Sequence, residues 1–111
     1  MIFDCFEHID YSVTACDREG VVVYQNAVSR RKYGNVTGGS LVGCHKEKSN
    51  EKIRHMIEAG ESNTYEIVKR GKRYLIRHSP WYDTEGGSVA GLVELSIPLP
   101  DEYPAFDRDK Q

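Results

Sequence analysis

The chain has 111 residues, 39% hydrophobic and 29% charged, with a formal net charge of -2, which fits one domain with a real core and leaves no room for a second. That charge gives no electrostatic reason to expect nucleic acid. The longest apolar runs are only a few residues, the opening MIFDCFEHID carries acids where a signal peptide needs a basic segment, and Cys5, Cys16 and Cys44 form no CxxC pair, so the expectation is a reduced cytoplasmic protein without membrane span, disulfide framework or four-thiolate zinc site.

Taken in chain order, Ile2, Phe3, Phe6 and Ile9 recur at near-helical spacing, which predicts a short amphipathic cap over residues 1–10. Ser12 to Cys16 reads as a strand, the Asp17-Gly20 turn follows, and Val21 to Gln25 returns as the second strand of a hairpin. Asn26 stands where its side chain can cap a helix over Ala27 to Tyr33, which Gly34 ends. Asn35 to Ser40 is a loop, and Ser49 is placed to cap a second helix whose apolar side carries Ile53, Met56 and Ile57 and which stops at Gly60. From Asn63 the period changes to alternation: Thr64 to Arg70, a Gly71-Lys72 turn, Arg73 to Tyr82, an Asp83-Gly87 turn and Val89 to Ile97 predict three strands. On the last of these Val89, Gly91, Val93, Leu95 and Ile97 share one face, with Glu94 and Ser96 on the other. Pro98, Pro100 and Pro104 should stop the ladder and leave 99–111 as an extended tail after a domain spanning 11–98.

Two strands, short helices and three strands, with the D-x-x-G turn at Asp17 and Gly20, the following V-x-Y-x-N, Gly34 after the first helix, L-V-G at Leu41 to Gly43 and the series Pro80, Asp83 and Gly86, resemble the PAS sensor family. The resemblance covers residues 11–97 and implies an α+β fold, a five-stranded antiparallel sheet with short helices packed on one face. Within it, GCHKEKS followed by the GKRYLIRHSPWYDTEGG hairpin looks like a bacterial subgroup with a C-H-x-x-K-S element. The end departs from sensory members that leave the sheet through an Asp-Ile-Thr element into a signalling helix, because Ser96-Ile97-Pro98-Leu99-Pro100 blocks helix continuation. Gly43-Cys44-His45 also lacks the asparagine-cysteine-arginine run of the blue-light flavin domains. The chain is either a stand-alone domain or a piece of a longer protein.

PAS architecture implies a ligand-binding cavity drawing on Val22, Tyr24, Leu41, His45, Ile53, Met56, Ile57, Tyr65, Ile76, His78 and Val93. His45 beside Cys44 could ligate haem iron or a metal, against a structural role at a helix start. His55 is expected in solvent, and His78, alternating with Tyr74 and Ile76, is a hydrogen-bonded core residue or a cavity-lining one. Lys46, Lys48, Lys52 and Arg54 with Glu47 and Glu51 read as a solvated helix face, and Tyr24, Tyr65, Tyr74 and Trp81 as core or interface aromatics. No phosphate loop, GxSxG or HExxH motif is present, so the functional expectation is a non-catalytic module that senses a small molecule or redox state through protein-protein contacts. Its cofactor is unidentified. The alternatives are a haem or metal sensor through His45 and a ligand-free dimerisation module. The expected partners are a second copy, through the N-terminal segment and a sheet face, and a small apolar or aromatic ligand, with neither nucleic acid nor membrane.

Overall fold

The computed structural model describes residues 4–40 and 47–110, with the backbone alone for 47–50. Ile2, Phe3, the Leu41 to Gly43 motif, Cys44, His45 and Lys46 therefore lie outside the described residues. Strands β1 (Ser12–Asp17) and β2 (Val22–Gln25), helices α1 (Ala27–Tyr33) and α2 (Glu47–Ala59), and strands β3 (Asn63–Lys69), β4 (Lys72–Tyr82) and β5 (Val89–Pro98) follow in the expected order. The five strands form one sheet in the order β2–β1–β5–β4–β3, with antiparallel pairing throughout.

The local chemistry of the first half acts as its residues suggest. Gly20 turns the β1–β2 hairpin at φ 82°, a conformation that costs glycine nothing. The side chain of Asn26 accepts from Ser29 N–H and opens α1, while the N–H of Gly34 closes the helix onto the Arg30 carbonyl. At the far end of α2 the N–H of Glu61 reaches back to the Met56 carbonyl across Gly60, a six-to-one closure that needs the positive φ found at Gly60.

Several boundaries differ from the sequence reading, and three of them have a clear physical reason. Helix α2 already includes Ser49, so Ser49 is not its cap; Glu47 and Lys48 are good helix formers, and an acid suits the positive end of the helix dipole. The β3–β4 loop is Arg70-Gly71, not Gly71-Lys72, with φ 54° and 77°, because a two-residue loop compatible with strand twist takes both central residues to positive φ. Pro98 does not stop the ladder but ends it: it pairs with Tyr74, and Leu99 N–H still bonds to the Arg73 carbonyl at 2.9 Å. Beyond this the tail leaves the sheet, exposed, with one 3-10 turn at Arg108–Lys110.

The register assigns the two faces of the sheet. Cys16 lies opposite Val22 and Leu92, and these three pack with Ile53, Met56 and Ile57 of α2 into one buried cluster. Because side chains alternate along each strand, the same inner face carries Ser12, Thr14, Gln25, Glu94, Ser96, Ile76, His78 and Tyr65. Thr14 Oγ1 lies 2.6 Å from Ser29 Oγ of α1, which places that helix over this face too. Val93, paired with Ala15 and Ser79, points to the other face.

The N-terminal segment is not an amphipathic helix over its described part but a 3-10 turn, Asp4–Phe6, followed by irregular chain. Three of its carbonyls are taken by partners from outside the segment: Asn26 donates to Phe6 and Tyr11, and Ala27 N–H to Glu7. A helical ladder would need some of those same acceptors. Glu7 also pairs with Arg30 and accepts from the Tyr24 hydroxyl. The hydrogen bond from Arg30 holds the Glu7 carboxyl below its ordinary range, whereas burial first, and then the bond to Glu7, pushes the Tyr24 phenol up to about 12. A depressed carboxyl stabilises the fold above its unfolded pKa and loses that contribution as pH falls; a raised phenol stabilises below its unfolded value and loses it as pH climbs. Tyr24 should thus ionise late, costing stability between pH 10 and about 12. An ultraviolet tyrosinate titration checks this: Tyr24→Phe removes the late step and flattens the alkaline loss of stability, and an unchanged titration would refute the contact.

Candidate functional site

The inner face divides into an apolar half and a polar, aromatic half. In the apolar half Val22, Ile53, Met56 and Ile57 are buried and pack directly on Cys16 and Leu92, the arrangement of a core. Ile53, Met56 and Ile57 recur at helical spacing, so one stripe of α2 meets the sheet while Lys52, Arg54 and His55 stay in solvent. His55 Nε2 pairs there with Glu61 at 3.2 Å.

The polar half is built on β3, β4 and β5. His78 of β4 stands opposite Glu94 of β5, and its Nε2 lies 2.8 Å from Glu94 Oε2. Only 4% of His78 is exposed, and its Nδ1 has no hydrogen-bond partner among the described residues. An unsatisfied buried nitrogen costs about 1–3 kcal/mol, so the fold holds this atom at a penalty. The Tyr65 ring, 43% exposed, lies 5.9 Å from the imidazole at a 31° tilt. One step along the same face, Ile76 faces Ser96, whose hydroxyl receives Lys32 Nζ at 3.2 Å, and the ammonium sits 4.2 Å over the Tyr74 ring. Desolvation lowers the Lys32 pKa, with Lys69 adding repulsion and Glu94 opposing it. Desolvation also raises the Tyr33 phenol, and the Glu94 carboxylate adds to the shift. Together these side chains form an aromatic-walled patch with one half-buried carboxylate, one buried imidazole and an ammonium at its rim.

Of the sequence candidates, Val22, Ile53, Met56, Ile57, Tyr65, Ile76 and His78 meet on this face. Tyr24 and Val93 do not: Tyr24 pairs with Ala15 and reaches the N-terminal segment, and Val93 shares its face. The error has a physical source, for both faces of β5 carry apolar residues, and Leu92, in line with Glu94 and Ser96, is the one that is fully buried. Leu41 and His45 lie outside the described residues. Glu94, Ser96, Lys32, Tyr33 and Tyr74 were missed, and the signal that could have found Glu94 was its sheet-face partner His78, visible only once the β4–β5 register is known. Cys16 is buried, and desolvation raises its thiol pKa, which suppresses the reactive thiolate. Among the described residues no three His, Cys, Asp or Glu side chains gather as a metal site, and no helix is long and apolar enough to cross a membrane.

The PAS domain of the histidine kinase ThkA superposes with a TM-score of 0.66 at 18% identity, over 80% of this chain and 99% of its own. The fold is the PAS fold. A sensory box sensor histidine kinase from Vibrio cholerae shares the PAS fold with this chain at a TM-score of 0.65 and 10% identity, over 89% and 90% of the two chains. VqmA bound to DPO matches at 0.68 and 18% identity, over 88% of this chain but 56% of VqmA, so the chain spans little more than half of that protein. No family model and no curated protein matches the chain. None of these findings supports the C-H-x-x-K-S subgroup, whose first residues fall outside the described part of the PAS fold.

Proposed function

We propose that this chain is a non-catalytic sensing module that binds a small molecule on the inner face of its PAS sheet and passes the event on through protein-protein contacts. The observation that carries this reading is the buried His78, paired with Glu94 and with its Nδ1 open, set among tyrosines where a purely structural core would place apolar side chains. PAS neighbours in sensor kinases, and VqmA bound to DPO, support it by analogy of fold. Cys16 is poorly placed to carry a redox variant of the proposal, because its thiol is buried and desolvation raises its pKa. VqmA also forms a complex with ligand and DNA, but the net charge of -2 gives this chain no electrostatic reason to expect the same.

Self-association belongs to the same proposal: Phe6 remains 38% exposed on the N-terminal segment, and VqmA, which shares the fold, forms a dimer. Native mass spectrometry of the purified chain tests both parts. The expected spectrum contains a two-subunit species and an added small-molecule mass that disappears on collisional activation. A spectrum of bare monomer, with no small molecule retained after exposure to a cell extract, would count against the sensing module.

A further inference from the structure

We infer that His78 Nδ1 is the polar anchor of the site and that it accepts a hydrogen bond from an O–H or N–H group of a small aromatic ligand lying against Tyr65. This deepens the sensing proposal and rests on it. The protonation logic begins at Glu94. A carboxylate only accepts, so the 2.8 Å contact requires the proton on Nε2. In the neutral imidazole Nδ1 is then a bare lone pair directed by its partner, as a carboxylate directs the tautomer of a histidine in other sites.

The lone pair selects the ligand. It is shut off from solvent and unpartnered among the described residues, so a donor satisfies it and an ether or hydrocarbon does not. A free anion is disfavoured close by, because the Glu94 carboxylate holds the other end of the ring. The surroundings favour a planar body: Tyr65 is already tilted against the imidazole and partly open to solvent, and Tyr74 lies on the same face under Lys32. An aromatic molecule bearing one donor meets both demands.

The test uses phenol and anisole, which have the same ring but differ in whether the oxygen can donate. Each is titrated into the full chain while the His78 ring nitrogens are followed by NMR. Phenol is expected to bind on the order of tenfold more tightly than anisole, the worth of one well-made hydrogen bond, and to move the Nδ1 resonance while Nε2 stays in place. In His78→Phe the two probes should bind alike, and Tyr65→Ala should weaken both equally. The comparison on the unaltered chain stands even if a variant fails to fold. Equal binding of the two probes, or a phenol preference that leaves Nδ1 unmoved, overturns the anchor but leaves the sensing module intact. Binding of neither probe overturns the anchor and the aromatic ligand class, while retention of another small molecule in the native spectrum would keep the broader proposal alive.

Discussion

Gly91→Ala is expected to cost about 4 kcal/mol of stability, from overpacking and a lost hydrogen bond together. Trp81 and Gly91 are paired across β4 and β5, and the Trp81 indole passes over the glycine to donate to the Cys16 carbonyl of β1 at 2.9 Å. A methyl group at position 91 would overlap that carbonyl and lie 2.6 Å from Trp81 Nε1. The carbonyl belongs to the backbone of a central strand and cannot swing aside as a flexible side chain could. Trp81→Phe should cost only about 1 kcal/mol, because it removes the hydrogen bond and leaves the strands in register. Urea unfolding, read by the fluorescence of the chain's single tryptophan, measures the glycine variant. Gly91→Ala combined with Trp81→Ala should recover little, since the collision with Cys16 remains. A mild loss in Gly91→Ala would mean that the strands are spaced differently from this register.

Asn26→Ala carries the second large effect, about 3 kcal/mol. Capping alone would be worth about 1 kcal/mol, but Asn26 is wholly buried and does more than cap. Its Oδ1 accepts from Ser29 N–H and from Val13 N–H, both at 3.0 Å, while its Nδ2 donates to the Phe6 and Tyr11 carbonyls at 2.9 and 2.8 Å. One amide thus fastens α1, β1 and the N-terminal segment together. Alanine leaves four backbone groups without partners, two of them in buried bonds, and each buried orphan costs about 1 kcal/mol or more. Asn26→Ser should fall between the two, because a hydroxyl can still cap the helix yet cannot span both carbonyls. Chemical denaturation of the three proteins orders them. If Asn26→Ala costs only about 1 kcal/mol and Asn26→Ser stays close to the unaltered chain, the cap is the whole contribution and the network is idle.

Asn26 also marks where sequence reading stops. Its place after the valine strand was enough to assign the cap, because capping is a contact over three residues. The bonds to Val13, Phe6 and Tyr11 reach 13 to 20 residues back along the chain, and no local pattern announces them. The same division runs through the rest of the protein. The strand and helix order, the α2 stripe of Ile53, Met56 and Ile57, and the helix stops at Gly34 and Gly60 were legible, since hydrophobic period and glycine backbone freedom act within a few residues. Which face of β5 turns inward was not. Alternation separates Val93 from Glu94 but cannot say which of them meets the helices when apolar residues occur on both sides. The pairing of Cys16 with Leu92, and the packing of both against α2, decide that, and with it they bring His78, Glu94 and Tyr65 together. Sequence by itself determined the elements and the fold they make; the site, a juxtaposition of side chains from three strands, was decided only by the register in which tertiary packing locked them.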